Sequence, residues 1–423
     1  MRSSQQIVEQ VPRLASGVVV CPFDNSSLHH QWLLIAASGR QWKIADALQR
    51  IISLIDGHRS VREIAFTLNS TADESFHEKI AHIVWSELAG MGVIDGVECS
   101  SSVESLSYLT FRLTLIKPRI LSVLTVLPRL LFAPVLFPLC FITALSINLY
   151  WLLHMPSRAI YGIFTYSYWW QIGLILVLST FIHELGHASA MRRYGMTSGE
   201  IGAGIYWVFP VLYTDVSGAW QLRREARTTI DIAGLYFQMI TTSVLIVSDR
   251  WYPWPAAEAA IFTIILSFIP NLNPFIRMDG YWLLCDFTGV CNLQSLLGDV
   301  LRTRFYRLAE YPPKIRALIV GYCLLSLGFI LYMSLRLSTA TYHDMRFGFP
   351  SLLQGTFTQI RCGAVSLSLI GQIIQIIFMC FTAVFILFAG YRVSGNAFRI
   401  VLDAWAYRKH RATTKESLAH EQY

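Results

Sequence analysis

Within a chain of 423 residues, the run FIHELGHASA holds two histidines four positions apart, His183 and His187, with Glu184 beside the first. On an α-helix, positions i and i+4 share a face, about 6 Å apart along the axis. Two imidazoles so placed can both reach one divalent cation, for which zinc is the expected metal. The adjacent carboxylate then stands where a proton acceptor for an attacking water is needed. A chance HExxH is expected on the order of 0.01 times in a chain of this length and composition. The stretch around it is apolar, and ionisable groups inside apolar spans are costly to keep and mark function.

Catalytic zinc takes three protein ligands and leaves a position open for water. No HExxHxxGxxH extension follows His187, so the third ligand must come from elsewhere in the chain. NLNPFIRMDGYWLLCD, residues 271–286, offers Asp279: Pro274 breaks the helix before it and Gly280 loosens the chain after it, so the carboxylate sits in an interrupted element. Asp286, Asp215 and Asp231 compete for the role, each otherwise reading as an interfacial or capping aspartate.

The elements that must position these groups are largely apolar. Hydrophobic residues make up 54% of the chain and charged ones only 14%, against about 25% charged in soluble globular proteins. That balance excludes a disordered chain, a nucleic-acid-binding domain and a secreted disulfide scaffold, and predicts a membrane protein. Six stretches are long enough to cross a bilayer, at about 130–154, 169–191, 229–248, 258–276, 316–336 and 364–390. The net charge of +7 follows from basic loops of one side: Arg192 and Arg193 after the second stretch, Arg223, Arg224 and Arg227 before the third, and a basic tail over 391–423. These flanks agree if both termini are cytoplasmic, which leaves a 337–363 loop on the opposite side. The amino terminus lacks an apolar core, so no signal peptide is expected. The eight cysteines form no CxxC pair, which gives neither a disulfide framework nor a thiolate zinc site. The glycine- and aromatic-rich run GEIGAGIYWVFPVLYTDVSGAW alternates weakly and is expected as short strands at the membrane edge.

Residues 1–110 have ordinary charge density and read as a small cytosolic domain. Two short strands are expected at GVVVCPF and QWLLIAA, then a helix over KIADALQRIISLIDG ending at Gly57, a second one started by the capping box Ser60-Val-Arg-Glu63, and a third over about 74–88. This is a winged-helix-like α/β arrangement. The segment is not notably basic and carries no arginine-rich recognition helix, so no nucleic-acid partner is expected.

HELGH on an apolar helix, with NLNPFIRMDG two spans later, resembles the site-2 protease family of intramembrane zinc metalloproteases, and the flanking YTDVSGAW and MDGYWLLCDFTGVCNL are similar to its peptide zinc metalloprotease branch. The resemblance covers about 130–310. It implies a mainly α, polytopic bundle of about six transmembrane helices in a bacterial-type inner membrane, with His183, His187 and Asp279 as zinc ligands, Glu184 as general base, and Asn271 holding the substrate backbone or the developing oxyanion. The family's AGPxxN segment corresponds here to 233–238, where Gln238 replaces the asparagine, and no PDZ domain fits the short turn before the fourth span. ALQRIISLIDGHRSVREIA with LAGMGVID resembles the PqqD family, whose members bind leader peptides by adding them as a strand to a small sheet. Together the resemblances imply an endopeptidase for a ribosomally made precursor peptide. Cleavage of a membrane-anchored signalling protein, or a non-catalytic receptor or export role, are the alternatives.

Overall fold

The computed structural model describes residues 8–28, 30–36, 38–71, 73–96, 109–162, 168–206, 209–301 and 305–361, with 372, 373, 376 and 380. The chain divides into two compact units, residues 1–291 and 292–423. In the first, an amino-terminal α/β layer precedes a helical part.

Three antiparallel strands, β1 (Val19–Pro22), β2 (Gln31–Ile35) and β3 (Gln41–Ala45), pair in sequence order. Alternation along β2 gives the sheet two covered faces. Trp32 and Leu34, opposite Ile44 and Trp42, face a core shared with three helices, α1 (Asp46–Leu54), α2 (Val61–Leu68) and α3 (Glu74–His82). Leu33 and Ile35 point the other way, toward Phe23 and Trp220. The third strand corrects the expectation of two: Gln41–Ala45 belongs to the sheet, and the helix expected from Lys43 begins at Asp46. Helix α2 starts as expected from its capping box. Ser60 Oγ accepts from the Glu63 amide, and the Glu63 carboxylate accepts from the Ser60 amide at 2.7 Å.

A second antiparallel sheet joins β4 (Leu109–Ile116) to β5 (Ile201–Tyr206) and β6 (Phe209–Thr214). The strands expected in the glycine-rich run are β5 and β6; β4 adds a third from 85 or more residues upstream. In this sheet, burial and the Glu200 carboxylate at 2.7 Å push the Tyr213 phenol up to about 12.

After α4 (Pro118–Leu124), helix α5 (Leu136–His154) turns Leu139, Ile142 and Leu149 outward and buries Asn148. The Asn148 amide donates to the Met239 carbonyl and accepts from the Thr242 hydroxyl at 2.6 Å, a polar link of the kind that joins membrane helices. The short α6 (Ser157–Gly162) leads to α7 (Trp169–Arg193), which packs along α8 (Arg224–Asp249) and against the alanine-lined face of α9 (Pro255–Asn271). A turn over 272–278 separates α9 from α10 (Asp279–Thr288). In the second unit, α11 (Leu293–Leu301), α12 (Pro313–His343) and α13 (Phe349–Arg361) follow.

Four described helices are long and apolar enough to cross a membrane: 136–154, 169–193, 224–249 and the one beginning at Pro313. The fourth expected span is a 17-residue apolar helix that ends at Asn271, shorter than expected because the chain turns there. The 337–363 loop is a correction: helix continues through it as far as Arg361, with a wider turn at Asp344–Gly348. The sixth expected span lies almost wholly outside the described residues, and the basic tail lies outside them.

Replacing Ser60 by Ala removes one arm of the capping box and is expected to cost about 1 kcal/mol. Amide hydrogen exchange of the full chain in detergent checks this: protection over 61–68 falls about fivefold, while the spans are unchanged.

Candidate metal centre

Helix α7 carries His183, Glu184 and His187 into its buried half, each about 7% exposed. Position i and i+4 put the two imidazoles on the face that meets α8, and their Nε2 atoms lie 3.2 Å apart. Asp279, the first residue of α10, reaches the same point. Its Oδ2 is 2.9 Å from His183 Nε2 and 3.6 Å from His187 Nε2. Among the described residues, these three form the group of side chains able to hold a metal ion, with donor atoms all within 4.8 Å of one another.

What lets the helices come so close is the absence of side chains at two positions. A Cβ on Gly234 of α8 would run into Nε2 of both histidines, and one on Gly186 of α7 would strike the Ala233 carbonyl. The imidazoles are then oriented from behind. His187 Nδ1 lies 2.7 Å from the Ile230 carbonyl and His183 Nδ1 lies 3.1 Å from Gln238 Oε1. A carbonyl oxygen can only accept, so each Nδ1 carries a proton, and in the neutral ring each Nε2 then turns a lone pair inward.

With neutral rings, three electron-pair donors therefore face one another, Asp279 Oδ2 buried among them. Such a cluster is repulsive unless a cation or protons sit among the donors. The separations of 2.9, 3.2 and 3.6 Å bracket the edge of about 3.3 Å expected of a tetrahedron with zinc–ligand bonds near 2.0–2.1 Å. Two nitrogens and one carboxylate oxygen suit a catalytic zinc site, and the residues present fit the ion.

Glu184 is held separately. The Thr214 hydroxyl, at the end of β6, lies 2.7 Å from Glu184 Oε2 and 3.0 Å from the Glu184 carbonyl. One carboxylate oxygen is thereby anchored to the second sheet. Asn271 closes α9, partly buried, with no hydrogen bond to the three converging side chains. The rival aspartates go elsewhere. Asp215 accepts from the Ser217 amide and hydroxyl, Asp286 pairs with buried Arg227 at 2.8 Å, and Asp231 lies outside the cluster. Thr214 and the orienting role of Gln238 are additions that motif spacing did not reveal. Both stand in runs already singled out, YTDVSGAW and the 233–238 segment.

No family model matches the chain, and no solved structure matches it. A protein of Bacillus subtilis (strain 168) with the name "Putative peptide zinc metalloprotease protein YydH" is 24% identical over 132 residues, covering 30% of this chain. The chain spans about half the length of that curated relative, 52%.

The helix contact makes a sharp expectation. Gly234→Ala places a methyl group among the ligand nitrogens, so zinc bound per purified chain falls from near one to near zero. Gly173→Ala, on α7 with open space around it, leaves it unchanged. Elemental analysis after dialysis reads both.

Proposed function

We propose that this chain is a membrane-embedded zinc endopeptidase that cleaves a ribosomally made precursor peptide captured by its amino-terminal domain, residues 1–110. The observation that carries the reading is the convergence of His183, His187 and Asp279 beside a Glu184 that is anchored by Thr214. A purely structural metal site has no use for that carboxylate. The named activity of the Bacillus subtilis relative supports the same reaction class. The four apolar helices support a multi-pass position in a bacterial-type inner membrane, and the basic flanks support cytoplasmic termini.

In this reading His183 and His187 of α7 and Asp279 of α10 hold the metal. When bound, zinc polarises the scissile carbonyl and makes water a competent nucleophile near neutral pH. Glu184 takes the proton from the attacking water and returns it to the departing amine. Thr214 holds one Glu184 oxygen and so leaves the other for that transfer. Asn271, at the end of α9, donates its side-chain amide to the substrate backbone or to the oxygen that gains charge in the transition state. The substrate must be extended at the cleaved bond, since a helix occupies its own carbonyls. Upstream, β3 is an edge strand, paired among the described residues with β2 alone, and it offers free backbone groups to which a leader segment adds.

Mass spectrometry of the precursor peptide, produced in cells with and without this protein, tests the reading. Wild type yields a truncated product; Glu184→Gln abolishes it while zinc content stays near one per chain. Uncleaved peptide with the wild-type protein, or cleavage that survives Glu184→Gln, overturns it. Thr214→Val is expected to lower the cleavage rate about tenfold with little change in apparent peptide affinity, measured as a split between kcat and KM.

A further inference from the structure

Helices α8 and α10 supply the metal centre from opposite directions. α8 contributes the Ile230 carbonyl and Gln238 behind the imidazoles and Gly234 against their Nε2 atoms, and α10 contributes Asp279 itself. Neither helix has a capping side chain of its own at the end away from the metal. The residue preceding α8, Arg223, makes no side-chain cap, and α10 closes on a left-handed Gly289 whose turn satisfies the Cys285 and Asp286 carbonyls with backbone amides and leaves those of Thr288 and Gly289 to other partners. Both ends meet the same short piece of the amino-terminal layer, the segment that follows β1.

At the start of α8, Asp24 Oδ2 accepts from the Arg224 amide at 3.0 Å. A carboxylate there satisfies one of the unpaired amides of the first turn and opposes the positive end of the helix dipole. At the end of α10, the Ser26 amide donates to the Gly289 carbonyl at 3.0 Å and the Ser26 hydroxyl donates to the Thr288 carbonyl at 2.7 Å. The two helices are also tied to each other below this point. Arg227, 3% exposed, donates to Asp286 of α10 at 2.8 Å, to the Leu222 carbonyl at 2.9 Å and to the Asp24 carbonyl at 2.9 Å. Phe23 packs beneath the Arg227 guanidinium and stacks on Trp220, where Lys43 of β3 also rests.

We propose that Asp24 and Ser26 form a clasp that sets the spacing of α8 and α10, and through it the placement of Asp279 against His183 and His187. The lever arms are short. Ile230 lies six residues from Arg224, about 9 Å along the axis, and Asp279 lies nine residues from Thr288, about 14 Å. Asp24 is a positioning residue: it touches no ligand, substrate or reacting atom, and acts through the helix it caps. The amino-terminal layer is thereby part of the metal centre's support as well as a docking surface for peptide. This inference rests on the zinc site proposed above.

The test measures zinc affinity of the full chain in detergent by competition with a chelator of known affinity, together with thermal unfolding. Wild type must bind one zinc; if it does not, the zinc site itself fails. Given that binding, Asp24→Ala is expected to weaken zinc about tenfold, the lower end of what losing a ligand-orienting partner costs. Asp24→Asn keeps an acceptor for the Arg224 amide and stays within about threefold of wild type. Arg224→Pro removes the amide donor to Asp24 at the first helical position, which proline suits, together with the guanidinium bond to the Ser26 hydroxyl at 3.2 Å, and it weakens zinc at least as much as Asp24→Ala without weakening α8. Ile64→Ala, in the core between the sheet and its helices, is the control: it lowers the unfolding temperature and leaves zinc affinity unchanged. Equal zinc affinity in wild type and Arg224→Pro overturns the clasp. So does an Ile64→Ala loss as large as that of Asp24→Ala, since the effect would then be one of general stability.

Discussion

Two imidazole nitrogens and a carboxylate oxygen meet within 4 Å inside a helix contact, each presenting electron pairs to the others. Several features of the helical part of the first unit hold that grouping in place. The Nδ1 protons are held by a backbone carbonyl and an amide oxygen, which forbids the rings from turning their donors inward. The two glycines let the helix backbones approach until those partners are within reach. A divalent cation converts the same arrangement from repulsive to strongly attractive, because the charge it brings is shared by all three donors in a place where water screens little.

The helices around the cluster answer the demands of an apolar surrounding. α5 turns its large aliphatic side chains outward and spends its one buried amide, Asn148, on bonds to α8. α9 offers alanines to α7, a close contact that favours dispersion, the interaction on which helices in lipid would depend. The break between α9 and α10 matters as much as the helices do. Had α9 continued, Asp279 would stand a turn or more further along its axis; the chain instead turns over seven residues and restarts a helix with that carboxylate at its first position, where the amides favour its charge. Glu184, the proposed proton acceptor, is held differently from the three residues proposed to bind metal, being tied to a β-sheet strand instead of a helix.

Local signals were legible where they needed no distant partner. The capping box at Ser60, the end of α1 before Gly57 and the long apolar helices all follow from spacing and composition within a few turns of chain. Strand β3 is not legible locally, because KIADALQRIISL has a helical rhythm and the strand is decided by its pairing with β2. Strand β4 alternates apolar and polar residues, yet its partner lies about 90 residues downstream. The 337–363 segment, placed between two predicted spans and carrying only Arg346 and Arg361 as basic residues, is expected as a loop, while its backbone continues as helix as far as Arg361.

The sequence by itself determined which side chains could do chemistry. HExxH fixes two nitrogens and a carboxylate on adjoining faces of one helix by periodicity alone, and the Pro274–Gly280 interruption marks where a further carboxylate would be freed from a regular helix. Only the tertiary structure decided which aspartate meets the histidines, that Gln238 turns one of them, that Thr214 holds Glu184, and that Asp24 caps a helix two hundred residues away. Those facts depend on distances between segments remote in the chain. Such distances are set by how closely helix backbones pack, and the pattern of residue types within any one segment does not contain them.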